Sequence, residues 1–176
     1  MPTSKQAILS KLPSSKPPKL EYNIKATFHS NPLEVFETNL KLAGGDIVYQ
    51  EDIVSYYQDR FANIVDTTKD IDIPSSKEFM DKVELLILES SLGVAENGAV
   101  WIEATFPRAL ITTTKHIAIK LSSKDIVSNM HQAYERLDST NLSCGMFLSG
   151  PSKTADIEQA LVIGAHGALV LDVFIA

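Results

Sequence analysis

The stretch Ser149–Glu158 reads SGPSKTADIE, and Gly164-Ala165-His166-Gly167 follows it after one further element. Upstream, Cys144–Leu148 (CGMFL) reads as a short buried strand, and the run from Ala155 (ADIEQALVIG) reads as a helix. A strand, a Ser-Gly-Pro-Ser turn and a helix in that order put the turn at a strand's carboxyl end, where open α/β sheets bind ligands.

The same alternation recurs along the chain. Asn31 is placed to cap a helix that Pro32 opens, Glu34 completes a capping-box-like pair, Leu33, Phe36 and Leu40 form its apolar face, and Gly44-Gly45 stop it. A strand follows at Ile47–Tyr49. A second helix is expected over Glu51–Ala62, with Ile53, Val54, Tyr57 and Phe61 on its buried side, then a strand at Asn63–Asp66. Glu84–Glu89 (ELLILE) and Ala99–Glu103 (AVWIE) read as strands around a Gly93–Gly98 turn, an inserted β hairpin. His116–Leu121 (HIAIKL) is a further strand, and Ser122 with Asp125 is expected to open a helix over Lys124–Leu137. A terminal strand spans Ala168–Ile175. The fold class implied is α/β: three layers, a mostly parallel sheet with helices on both faces, and the inserted hairpin.

Residues 1–20 read differently. An amphipathic piece, Ser4–Leu12, is followed by PSSKPPK over Pro13–Lys19, a tether; residues 21–176 form a single α/β domain. The formal charge of −6 leaves no basic stripe to neutralise phosphates, which argues against a nucleic-acid partner. No apolar run approaches the ~18 residues of a membrane span, and no signal-peptide core precedes the domain, so a cytoplasmic location is expected. The single cysteine, Cys144, cannot form an internal disulfide or hold an iron–sulfur centre by itself.

The Ser149–Thr154 turn has the chemistry of an anion site. Gly150 lets the main chain approach closely, Pro151 stiffens the turn, Ser149, Ser152 and Thr154 offer hydroxyls, Lys153 offers charge, and a helix start offers free N–H groups, with Asp156 just inside it. The plainer reading is that Ser152 or Thr154 caps the helix and Asp156 and Glu158 favour its dipole. Glu96-Asn97-Gly98 likewise has two readings: a carboxylate on a glycine-flanked turn that acts as nucleophile or base, or an Asn-Gly hairpin turn with Glu96 beside it. His116 opens a strand. His166 would sit at the far end of the expected helix, roughly 12–15 Å from Asp156, too far to pair with it. The histidines at 29, 116, 131 and 166 lack metal-ligand spacing, so no metal is expected.

SGPSKTADIE, GAHG and the terminal apolar strand resemble the C-terminal signature of the lactate-utilization C-type proteins, the LUD-domain family. ILSKL at Ile8–Leu12, the Gly44-Gly45 unit, Ala95–Gly98 and His116 fit the family in order. The resemblance implies a fold like ribose-5-phosphate isomerases and CoA transferases. It also implies a role in bacterial oxidation of L-lactate to pyruvate beside iron–sulfur partner proteins, with the clusters in those partners and no cofactor intrinsic to this chain. Glu96-Asn97-Gly98 resembles the Glu-Asn-Gly turn of one class of CoA transferases, in which the glutamate attacks a thioester. Two functions follow: an accessory subunit binding a small carboxylate or phosphate, or an acyl/CoA-transfer or sugar-phosphate isomerase-type enzyme using Glu96 and the Ser149–Thr154 loop. The first is preferred, because no nucleophile–base pair and no GxGxxG fingerprint is present. A homo-oligomer stays open.

Overall fold

The computed structural model describes residues 26–57, 59–137, 144–155, 161–164 and 167–176. The N-terminal segment and tether, Asp156 and His166 lie outside the described residues. Five strands form a wholly parallel sheet: β1 (Asp46–Val48), β2 (Ile64–Asp66), β3 (Leu85–Ser90), β6 (His116–Leu121) and β11 (Val170–Ile175), in the order β1-β11-β6-β3-β2. β3 and β6 sit inside the sheet and read as near-continuous apolar runs because both faces are covered.

Side chains alternate between those faces. Leu86 and Leu88 of β3, Ile117, Ile119 and Leu121 of β6, and Leu171, Val173 and Ile175 of β11 pack into one core with Phe36 and Leu40 of the Pro32–Ala43 helix. Leu85, Ile87, Ala118 and Phe174 face the other way, under Ile53 and Tyr57 of the Ile53–Tyr57 helix. This is the expected three-layer α/β arrangement with helices on both faces.

The inserted hairpin grows into a second sheet. β4 (Gly93–Val94), β5 (Ala99–Glu103), β7 (Ile126–Val127) and β8 (Gly145–Leu148) run in the order β7-β4-β5-β8, and Val100 and Ile102 of β5 join the core over the parallel sheet. The hairpin between β4 and β5 is closed by a 3-10 turn, Ala95–Asn97, and by Gly98 at φ 61.

The Pro32–Ala43 helix forms as its sequence dictates. Asn31 Oδ1 accepts from the Glu34 amide at 3.5 Å, and Gly44, at φ 90, donates to Lys41 O. Three other helices differ from expectation. The second is confined to Ile53–Tyr57. Where one helix was expected over Lys124–Leu137, Ile126–Val127 is a strand paired with Gly93–Val94, and the helix Met130–Arg136 starts only after Asn129, whose side chain accepts from the Gln132 amide. The two β-branched residues satisfy a sheet edge, Asn129 is the stronger cap, and Ser122 makes no cap bond.

The helix expected from Ala155 is also corrected. β9 (Lys153–Ala155) pairs antiparallel with β10 (Leu161–Ile163), so Lys153 and Thr154 lie in a strand, and among the described residues no helix N-terminus backs the turn. The apolar LVI segment fits a short strand as readily as a helix, and pairing with Lys153–Ala155 decides it. β8, expected as a buried strand, is a half-buried edge strand antiparallel to β5. No helix among the described residues is long and apolar enough to cross a membrane.

Candidate functional site

The Ser149–Lys153 loop leaves the carboxyl end of β8, but that strand belongs to the second sheet. The loop itself packs against the amino end of the parallel sheet, next to the residues that lead into β1 and β11. Ser152 N donates to Ala168 O at 2.8 Å, just before β11. Gly150, at φ 70, lies so close to Ala43 that an added Cβ would stand 2.3 Å from its carbonyl oxygen. The glycine is needed there both for its left-handed backbone and for that approach. The loop thus lies at a strand's carboxyl end as expected, but that strand is antiparallel to β5 and the loop rests on the amino end of the parallel sheet.

The fold brings the two sequence motifs together. The Ser149 hydroxyl donates to the Asn97 carbonyl at 2.7 Å, and Gly98 is pressed against the main chain of Leu40. Asn97 Oδ1 accepts from Ala99 N at 3.2 Å, fixing the turn, and Asn39 Nδ2 ties Ala95 O to the helix at 2.8 Å. Pro151 is buried and Ser152 half-buried, while Ser149 and Lys153 are exposed. The Lys153 ammonium reaches Gly44, at the negative end of the Pro32–Ala43 helix. Ser152 stands against Gly167, which brings that glycine to the same place.

Glu96 points elsewhere. Its Oε1 accepts from the Met130 amide at 3.0 Å, and its own N–H donates to Ser128 O, so the carboxylate caps the Met130–Arg136 helix. Among the described residues no group of three or more His, Cys, Asp or Glu side chains is placed to hold a metal.

His116 enters a constellation that the sequence reading did not assemble. Its Nε2 lies 2.8 Å from Asp172 Oδ2 and 3.2 Å from the Tyr57 hydroxyl, and the Tyr57 hydroxyl donates to the same Asp172 oxygen. Burial, then the hydrogen bond to Asp172, holds the Tyr57 hydroxyl well above its ordinary value of 10.0, so it stays a donor. The signal was present in the alternation of HIAIKL and VLDVFI. His116 and Ala118, like Asp172 and Phe174, fall on the face covered by Tyr57.

Residues 51–175 match the LUD domain family. The chain belongs to the LUD domain family. Two relatives named Lactate utilization protein C are similar to this LUD-domain chain. The one from Shouchella clausii (strain KSM-K16) is 30% identical over 104 residues, 53% of this chain and 45% of the relative. The one from Geobacillus sp. (strain WCH70) is 31% identical over 101 residues, 52% of this chain and 42% of the relative. The LUD-domain chain thus matches less than half the length of either. A DUF162 family protein from Deinococcus radiodurans, solved by crystallography at 1.70 Å, shares the fold with TM-score 0.62 and 14% identity, over 82% of this chain and 95% of that one.

Proposed function

We propose that this LUD-domain protein serves lactate utilization as a cytoplasmic accessory subunit, not catalytic by itself, acting with iron–sulfur proteins that carry away the electrons released as L-lactate is oxidised to pyruvate. A small carboxylate or phosphate is held at the Ser149–Lys153 loop, with the Ser152 hydroxyl and the Lys153 ammonium as its partners and the Asn97-Gly98 turn as its floor. The observation that carries this reading is the convergence of the Ser149–Lys153 loop and the Asn97-Gly98 turn, joined by the Ser149 hydrogen bond, in a chain whose relatives are lactate utilization proteins. The engagement of Glu96 with Met130 supports an accessory role over acyl transfer, because a nucleophilic carboxylate must be free to reach its substrate.

The test is growth on L-lactate of a strain lacking the gene and complemented with variants. The wild type and Glu96→Ala restore growth, whereas Ser152→Ala/Lys153→Ala, still folded and expressed, does not. Growth lost with folded Glu96→Ala, or kept with the double variant, contradicts the reading.

A further inference from the structure

At the amino end of the parallel sheet, beyond the Ile53–Tyr57 helix, a cavity of about 390 Å³ opens over His116. That size falls within the range of about 300–1,000 Å³ typical of small-ligand pockets. Phe61, Val83, Leu169 and Val170 give it apolar walls. Its charged rim is sorted by the hydrogen bonds around it. Lys82 is paired with Glu78 at 2.9 Å, and Glu84 accepts from the Ala62 and Asn63 amides. Arg60, Lys115 and Asp81 remain, and among the described residues neither cation has a carboxylate within ion-pair distance. Glu84 is occupied by those two amides, which leaves the Arg60 guanidinium and the Lys115 ammonium available to an anionic guest. Arg60 is held over the ring of Tyr56, 4.9 Å from its centroid, which presents the guanidinium from a rigid support.

His116 supplies the directional element. A carboxylate only accepts, so the Nε2 that faces Asp172 carries a proton, which leaves Nδ1 as the ring nitrogen for a guest. Phe61 packs edge-on against the imidazole at 5.1 Å and Tyr57 does the same, so the ring is locked in one orientation. Among the described residues no hydrogen bond engages Nδ1, and the ring lines the cavity. A largely buried Asp–His pair at the wall of a cavity is more than packing requires, since two leucines would fill the same space without desolvation cost.

We propose that this cavity is a second site, for a small organic acid: Arg60 and Lys115 take the carboxylate, and Nδ1 of His116 hydrogen-bonds a hydroxyl beside it. The site shares no residue with the Ser149–Lys153 loop and stands or falls separately from it.

The experiment follows the imidazole nitrogens of His116 by NMR in the Ser152→Ala/Lys153→Ala protein, which lacks the loop's side chains, during titration with L-lactate and with acetate. The Nδ1 resonance should move saturably with L-lactate, and more weakly with acetate, which has no hydroxyl. Adding Arg60→Gln/Lys115→Gln, two exposed positions whose change leaves the fold intact by amide spectrum, should weaken binding at least about tenfold. An Nδ1 signal unmoved at concentrations on the order of 10 mM, or an affinity unchanged by the Arg60/Lys115 substitutions, overturns the proposal. If His116 responds while the Gly150 and Lys153 amides of the wild type do not, this site stands and the loop reading fails.

Discussion

The Ser149 hydroxyl donates to the Asn97 carbonyl across 52 residues of sequence, at 2.7 Å. This bond joins an edge-strand exit in the second sheet to the hairpin that begins it. Both ends then rest on the Pro32–Ala43 helix, through Gly98 against Leu40 and Gly150 against Ala43. The helix is therefore the platform of the candidate site, and its integrity should control the site's geometry.

Gly98→Ala tests that platform. The residue is at φ 61, and an added Cβ would lie 2.3 Å from the Leu40 nitrogen and 2.6 Å from its Cα, which are main-chain atoms that cannot rotate aside. Overpacking and left-handed strain together should destabilise the protein by roughly 2–4 kcal/mol in urea denaturation. A loss below about 0.5 kcal/mol would mean the hairpin does not sit on the helix as described.

Glu96→Ala should behave as the loss of a helix cap. Removing the acceptor for the Met130 amide is expected to cost about 0.5–2 kcal/mol, with the amides of the Met130–Arg136 helix exchanging faster. Exchange unchanged in that helix would remove the structural account of Glu96.

Tyr57 predicts a dependence on alkaline pH. Its folded hydroxyl titrates above the ordinary 10.0, so its contribution to stability is complete below pH 10 and declines as pH rises beyond it, because the unfolded chain releases that proton first. The decline from this one group is at most about 1.4 kcal/mol per pH unit. Chemical denaturation from pH 8 to 11 should show this component in the wild type and lack it in Tyr57→Phe. Equal slopes in the two proteins would contradict the buried Tyr57–Asp172 hydrogen bond.

The parallel sheet was readable because its strands are apolar on both faces and its first helix carries its own caps: Asn31, Pro32 and Gly44 mark that helix without help from tertiary structure. Shorter elements were not. Ile126-Val127 and Leu161-Val162-Ile163 suit a helix face or a strand equally, and only pairing with Gly93-Val94 and with Lys153–Ala155 resolves them. Pairing with Leu161–Ile163 likewise turned an expected helix start at the Ser149–Thr154 loop into a strand. At the site, the Asn97-Gly98 and Ser149–Lys153 motifs could be recognised by residue type, and the fold did bring them together. The His116–Asp172–Tyr57 cluster needed the register of β6 against β11, Val170 opposite His116 and Asp172 opposite Ala118, which no single segment contains.

Anion binding at the Ser149–Lys153 loop is measured by calorimetric titration of phosphate and of L-lactate. The titration uses protein carrying Arg60→Gln/Lys115→Gln, so that only the loop is read, with and without Ser152→Ala/Lys153→Ala. The loop substitutions should change stability by no more than about 1 kcal/mol, since Lys153 is exposed and Ser152 half-buried. Saturable binding of at least one of the two anions is expected, and it should disappear when Ser152 and Lys153 are replaced. Affinity unchanged by that replacement, or no binding of either anion with the loop intact, would contradict anion binding at the loop.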